Sequence, residues 1–540
     1  MRLGIDLDNT IICYDEVFSY VAKRRGLISP DWVGSKLEVR EAVRSTPNGE
    51  TTWQSIQGNV YGPLSSLARL YSGVFRFLWR CYARGLEVEI VSHKTEFGHT
   101  GKIDMPLRAA ALEFLKGEQI FVDNPSSLIE QVTFLDTREQ KIAYIEEQRF
   151  DWFVDDLPEV LDNIKISSET RKLGFSPDGM TDFMSAKRVR SWGEIESEIL
   201  GKWTNEELSK VTLKIAGTKP REIVWIGGRT NSGIARIRFK DERLAALKIY
   251  ALDVSHDRYS AEQDAFDSLN KCGEVAVPKA LGGLRRLGVG MLEWISGDEV
   301  TAPNSDHIDC LLGFVKRLHG LRHHYRFRSF PNASAAIFSG WELQQQLHQR
   351  LDQLRSNSIG SRGLHSYLDD EFVPLLLEIS SWTEGNWPGH HYETRLQKPE
   401  MTLSPSDFGF HNCLKQEDES LRFIDFEYFG WDDPAKLCGD FLFHPGMNLS
   451  DTLKLQWIEG ARTIYGAQAL ERLKVMWGLI GLVWCLILLN EFRLDHRARR
   501  QVAQGDMSAT SPDSLSTRLR SSRSLLRQVQ FQYRQPLLLV

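Results

Sequence analysis

The chain has no clustered cysteines, no basic surplus and no apolar stretch long enough to span a bilayer, and each shortage removes a class of protein. Its seven cysteines (Cys13, Cys81, Cys272, Cys310, Cys413, Cys438 and Cys485) include no CxxC pair. Neither a disulfide framework nor a zinc site is therefore expected, and reduced thiols in the cytoplasm are. The formal net charge of −6 argues against nucleic acid as the default partner, because polyanion binding calls for a basic surface. The longest apolar run, Val475 to Leu489, is closed by Asn490-Glu491 and falls short of the ~20 residues of a membrane helix. A buried helix is expected there, and no membrane span. The opening MRLGIDLDNT puts acids where a signal peptide carries basic and then apolar residues, so export is not expected. There are no internal repeats, and no GxxxxGK[ST] phosphate loop.

What is present divides in two. At 540 residues the chain exceeds what one core serves, and about three units or fewer are expected. Short apolar strands at Leu3–Ile5, Val88–Val91 and Trp152–Val154 alternate with helical stretches at Val74–Arg84 and Gln140–Arg149. Such alternation predicts βαβ units and a parallel sheet. Residues 11–70 read as an insertion, a small helical cap. The expected divisions are an α/β domain over 1–200, a polar linker over 201–219, an α+β domain over 220–502 and a mobile polar tail over 503–540. The second domain opens with three close strands, Ile223–Ile226, Ala235–Phe239 and Ala245–Tyr250, an antiparallel meander. It continues mostly helical from 304 to 400.

In the first domain, Asp6 and Asp8 follow the first strand, Ser92 ends the second, and Asp155-Asp156 end the third. Parallel sheets deliver ligands to the rim at the carboxyl ends of their strands. Four carboxylates crowded there raise one another's pKa unless a cation joins them, and Mg²⁺ suits carboxylate and phosphate oxygen. The arrangement resembles the haloacid dehalogenase superfamily, with its Rossmann-like sheet. DxDxT reads Asp6-Leu7-Asp8-Asn9-Thr10, VEIVS ends at Ser92, a helix lysine falls at Lys141, and WFVDD ends at Asp155-Asp156. Lys94 and Lys102 compete for the lysine position. The resemblance, over residues 1–165, implies that Asp6 is a phosphoryl-accepting nucleophile and Asp8 a general acid–base. It further implies that Ser92 and Lys141 hold the phosphoryl group, and that Asp6, Asp8, Asp155 and Asp156 gather round Mg²⁺. An aspartic acid at position 8 favours phosphatase over dehalogenase chemistry, since a departing alkoxide needs a proton.

In the second domain, a glycine-rich link, Gly227 to Gly233, can bring backbone N–H groups to phosphates. Lys248 sits among apolar neighbours, where an ammonium needs an anion, and Glu262 on the following helix is a natural partner. Later come SPSDFGFHN, with Asp407 and Asn412, and a strand ending at Asp425. An Asp, an Asn five residues on and a strand-ending Asp follow the layout of kinase catalytic and metal loops. This half, over 220–495, resembles the aminoglycoside phosphotransferase and choline kinase family, within the bilobal protein-kinase-like fold. MLEWISG (Met291–Gly297), which carries Glu293, is similar to that family's adenine hinge, and WDDPAKLCGDF follows the metal loop. The resemblance implies ATP binding by Gly228, Asn231, Lys248, Glu262 and Glu293. Asp407 would take the acceptor's hydroxyl proton, and Asn412 and Asp425 would hold Mg²⁺. One departure is Pro405, where the family usually has histidine. His411 could touch substrate or nucleotide, the His319, His323 and His324 cluster reads as a basic loop, and the tryptophans near 382–387 read as core or pocket wall.

Together these readings predict a bifunctional enzyme: a phosphatase on a small phosphorylated metabolite, such as a sugar phosphate, and a kinase on a hydroxyl acceptor. Joining them in one chain would raise effective concentration. Two rivals are a nucleotide-sensing regulator with an inactive kinase head and a nucleic-acid end-processing kinase/phosphatase. The oligomeric state is open.

Overall fold

The N-terminal parallel sheet has six strands where three were expected. The computed structural model describes all residues except 98–105, 123–125, 164, 227–231, 253–255, 357, 359–360, 390, 448, 495, 497–511 and 537–540. The chain divides into two compact units, Met1–Val211 and Thr212–Val540.

In the first unit the strands are β1 (Arg2–Ile5), β2 (Ile12–Cys13), β3 (Arg69–Leu70), β4 (Glu87–His93), β5 (Gln131–Leu135), β6 (Trp152–Asp155), β7 (Arg171–Phe175) and β8 (Lys187–Val189). The main sheet runs β5-β4-β1-β6-β7-β8, all parallel. Ile5 pairs with Ile90 on one side and Val154 on the other, so β1, β4 and β6 end beside one another. β1, β4 and β6 are apolar enough to be covered on both faces, as parallel sheets require. QVTFL, RKLGF and KRV are shorter or more polar, which is why the extra strands were not evident. The insertion forms the small β2–β3 ladder and helices Asp15–Arg24, Lys36–Arg44 and Gly49–Tyr61. Helix Lys36–Arg44 starts with a reciprocal Ser35–Glu38 capping box, which satisfies orphan donors at its first turn.

The expected linker is corrected. Asn205–Ala216 is a helix, and its Glu207 is buried, 1% exposed. Arg80 and Arg84 both donate to Glu207, at 2.8–3.3 Å, while Arg76 and Arg80 share buried Glu196 at 2.8 Å. A segment that looks like a solvated linker because it is charged is in fact tied down by those charges.

The second unit begins with a sheet of β9 (Glu222–Trp225), β10 (Gly233–Arg238), β11 (Leu244–Ile249), β12 (Ala280–Leu284) and β13 (Val289–Glu293), in the order β12-β13-β11-β10-β9 and antiparallel throughout. Helices follow, including Ser305–Leu321, Gly340–Ser356, Val373–Gly385, Pro434–Phe443 and Ala467–Leu488. The last contains the long apolar run. Its helix is long and apolar enough by composition to cross a membrane, yet 78% of its most apolar window is buried within the unit. Gly481 on it lets another helix close in: an added Cβ would lie 2.4 Å from Val529.

That partner corrects the polar tail. Pro512–Gln532 is a 21-residue helix. Leu526, Val529 and Tyr533 are buried in the core, with Leu515 and Leu519 packed against it. Ser522 Oγ donates to the Cys485 carbonyl at 2.9 Å, and Arg523 pairs with Glu371. Positions 515, 519, 522, 526, 529 and 533 share one helical face, a stripe hidden among serines and arginines. Residues 503–511 of the expected tail lie outside the described residues. Removing residues 512–540 should lower the second unit's melting temperature by several degrees, as expected when several apolar side chains lose their packing. An unchanged calorimetric transition would instead fit a tail.

Candidate functional sites

The first site gathers at the carboxyl ends of β1 and β6. Asp6 is buried and accepts a hydrogen bond from Lys141 Nζ at 2.6 Å; the same nitrogen donates to Asp155 at 2.7 Å. Lys141 stands in the first turn of helix Arg138–Gln148, which Thr137 and Gln140 cap reciprocally. The ammonium is thereby fixed rather than left on a wandering chain. Asp155 also accepts the Leu157 N–H at 2.9 Å. Carboxylate oxygens of Asp6, Asp155 and Asp156 lie within 4.8 Å of one another. Burial pushes the Asp6 carboxyl up to about 7, with Lys141 opposing and Asp155 adding to the rise. Asp156 is raised well above the usual range by burial and by its two acidic neighbours. An all-oxygen donor set of this kind, crowded enough to resist ionisation, fits a hard divalent cation such as Mg²⁺.

The expected four-carboxylate set becomes three. Asp8 is held by partners of its own: its oxygens accept from Lys94 Nζ at 2.6 Å and Tyr14 OH at 2.9 Å. Two competing cations thus take separate carboxylates, Lys141 serving Asp6 and Asp155 and Lys94 serving Asp8; Lys102 lies outside the described residues. Ser92 is buried next to the end of β4. Sequence reasoning missed Lys36, at the start of an insertion helix, whose Nζ donates to Asn9 at 3.1 Å and Tyr61 OH at 2.9 Å. No spacing rule ties position 36 to position 9, so only the folded insertion reveals the contact.

The second site lines a cavity of about 940 Å³ in the second unit, walled by Lys248, Glu262, Glu293, Asp407, Asn412 and Asp425 among others. Lys248, on β11, is buried and donates to Glu262 at 3.0 Å and Asp425 at 2.6 Å. Glu262 comes from helix Arg258–Lys271 and also accepts from Tyr250 OH at 2.5 Å and the Phe426 N–H at 2.7 Å. Glu427, which sequence reasoning passed over, lies 3.6 Å from Lys248 and accepts from Arg258 and Ser232. Asp425 has φ +67°, a left-handed conformation that a non-glycine residue holds only when its surroundings impose it. Enclosure pushes its carboxyl up to about 7, although Lys248 opposes the rise. Burial likewise raises Glu427, but Lys248 and Arg258 outweigh it and hold that carboxyl below the usual range.

Asp407 follows Ser406, another left-handed residue at φ +67°. His411 Nε2 lies 2.8 Å from Asp407 Oδ1, and Asn412 Nδ2 donates to the Asp407 carbonyl at 2.9 Å. His444 stacks on His411 at 3.8 Å and 8°. Burial, then His411, pushes the His444 imidazole down to about 4. Burial alone would raise Asp407; the His411 contact outweighs it and holds the carboxyl low. Pro405 contributes only its carbonyl, which accepts the Asp407 N–H at 2.9 Å. Near Asp407, then, the histidines come from positions 411 and 444. Glu293 accepts the Lys279 N–H at 3.1 Å and Arg422 at 3.3 Å. Gly228 and Asn231 lie outside the described residues. His319 is bonded to Thr402 and His324 sits beside Cys272, so that cluster disperses.

No protein-family model matches the chain, and no curated protein matches it. Among solved structures, choline kinase from Cryptosporidium parvum is 12% identical with a TM-score of 0.39, over 58% of this chain and 92% of that one. Ethanolamine kinase from Plasmodium vivax is 13% identical, TM-score 0.41, over 60% and 89%. Choline kinase from Streptococcus pneumoniae is 12% identical, TM-score 0.38, over 59% and 97%. Similarity at this level is loose and bears on neither substrate nor chemistry.

Replacing Lys141 with Met strands Asp6 and Asp155 without their cation. Removing one partner of a buried ion pair typically costs about 3–5 kcal/mol, and urea unfolding of Lys141→Met should show a loss of that order. Adding Asp155→Asn should recover part of it. A Lys141→Met variant as stable as the parent would show that the ammonium is not holding the carboxylates.

Proposed function

We propose that the chain carries two phosphoryl-handling centres: an ATP-dependent small-molecule kinase in the second unit and a Mg²⁺-dependent phosphatase in the first. The observation that carries the kinase reading is the placement of Lys248 between Glu262 and Asp425 on the wall of the cavity that also receives Asp407. A lysine so held presents its ammonium to nucleotide phosphates, and the glutamate fixes its direction. Asp407 is the acceptor's base: as the hydroxyl oxygen bonds to the γ-phosphorus, its proton passes to Asp407 and the bond to ADP breaks. His411 orients that carboxylate, a task that Pro405 cannot perform. Asn412 and Asp425 would hold Mg²⁺, which supplies charge neutralisation to the phosphates.

In the phosphatase centre Asp6 is the nucleophile. Its carboxylate oxygen bonds to phosphorus as the ester P–O bond breaks, giving an aspartyl-phosphate and splitting one hard displacement into two. Asp8, oriented by Lys94 and Tyr14, gives a proton to the leaving oxygen and takes one from the water that hydrolyses the intermediate; such help is worth roughly 10²–10⁴-fold. Lys141 balances charge on the nucleophile, and Ser92 is placed to bond the phosphoryl oxygens. Asp6, Asp155 and Asp156 would hold Mg²⁺, which neutralises the converging negative charge. A small phosphorylated metabolite is the fitting substrate, and the net charge continues to disfavour nucleic acid.

Asp6→Asn should abolish phosphate release while leaving ATP consumption intact, and Asp407→Ala should do the reverse. A ³¹P NMR assay against sugars and sugar phosphates, with and without ATP and Mg²⁺, reads both. Loss of both activities in either variant would mean that the centres are not separable. Nucleotide-induced thermal stabilisation with no transfer to any acceptor would instead favour a nucleotide sensor.

A further inference from the structure

Two helices contribute to the wall of the kinase cavity that also receives Asp407. Gln346, Arg350 and Gln353 of Gly340–Ser356 line it, at the i, i+4 and i+7 spacing of a single helix face. Val483, Trp484 and Ile487 of Ala467–Leu488 line it from the other helix. Most charged groups on this wall already have partners. Lys436 donates to Asp440 at 2.7 Å and Asp432 at 3.3 Å. Asp440 also accepts from Trp484 Nε1 at 2.9 Å, and Asp407 is held by His411.

Among the described residues Arg350 is an exception. Its Nε is buried without a hydrogen-bond partner, the side chain as a whole is half-buried on the cavity wall, and it forms no ion pair among the described residues. Arg493 shares the wall with it. The groups bearing on Arg350 are Arg493, a like charge, and Asp440 and Tyr428, which favour its charge more weakly. Burial and Arg493 together hold its basicity below the ordinary value. A guanidinium stays charged in proteins, and enclosing one without an anion is expensive. A ligand oxyanion would remove that cost and match the fork of donors bidentately.

Resting on the kinase reading above, we infer that the hydroxyl acceptor carries an oxyanion, a phosphate or a carboxylate, which Arg350 receives while Asp407 faces the reacting hydroxyl. An ammonium-bearing acceptor would meet like charge at this wall.

The test is calorimetric titration of the full chain in an Asp6→Asn background, saturated with ADP and Mg²⁺. The probes are glucose 6-phosphate, glucuronate, glucose and glucosamine. One or both anionic probes should bind at least about tenfold tighter than glucose, and which one does so separates phosphate from carboxylate recognition. Arg350→Met should weaken that probe by about 10- to 100-fold, the range expected for lost charge-assisted hydrogen bonds, with glucose and ADP affinities unchanged. Arg350→Lys, which keeps the charge, should recover part of the loss and guards against misfolding as the cause. Tightest binding of glucosamine, no anion preference, or an unaltered Arg350→Met would overturn the inference. Absence of ADP binding would count against the kinase reading alone, since the Arg350-dependent anion affinity is measured separately.

Discussion

A lysine ammonium taken out of water and set between two carboxylates recurs in this chain, and both sites depend on it. Lys141 bridges Asp6 and Asp155; Lys248 bridges Glu262 and Asp425. Each lysine is raised above its ordinary pKa because the flanking carboxylates overcome the burial that opposes it. One carboxylate in each pair, Asp6 or Asp425, is instead pushed up to about 7 by its enclosure. Excess negative charge around a fixed ammonium is poorly satisfied by protein alone. It is well satisfied by a divalent cation with a phosphate dianion, which together bring both signs at once. The costly arrangement makes sense as a waiting ligand site rather than as a source of stability.

Backbone geometry makes these clusters possible. In the first unit three parallel strands finish side by side, so residues 6, 92 and 155 reach one rim without any long side chain doing the reaching. The second unit has no such rim among its described residues. There a strand lysine, a helix glutamate and a left-handed Asp425 are joined by the Phe426 N–H to Glu262 bond. That bond locks the turn to the helix that carries the glutamate, so Asp425 is pinned from its side chain and from its neighbour's backbone.

Residues whose chemistry is tied to a local pattern were legible in the sequence. Apolar strands ending in acids revealed Asp6 and Asp155, and a helix start revealed Lys141. The Asp–Asn spacing marked the loop at 407–412. Contacts made by the insertion were not legible, because Lys36 meets Asn9 and Tyr61 only after three helices have packed. His411 was seen but not its part: only the fold brings His444 onto it and both toward Asp407. Charge misled twice. The stretches near 205–216 and 512–532 look solvated by composition, yet in one the charges are neutralised internally and in the other an apolar stripe at helical spacing is diluted by serine and arginine. Composition averages over a helix, whereas packing selects one face of it.

The lining of the second unit's cavity carries incompletely matched charge of both signs. Around Lys248 stand three carboxylates, Glu262, Asp425 and Glu427, of which, among the described residues, only Glu427 has a further cationic partner, Arg258. That cluster therefore retains a demand for cations. Elsewhere on the lining, Lys436 is already spoken for by Asp432 and Asp440, while Arg350 has no ion-pair partner among the described residues. Asp407 lines the same cavity, its carboxyl held low by His411 against its burial. Phosphoryl transfer moves a phosphoryl group from a cation-bound donor to a hydroxyl whose proton must leave. A carboxylate held ionised on a wall that carries both signs of charge suits the proton removal that the proposed transfer needs.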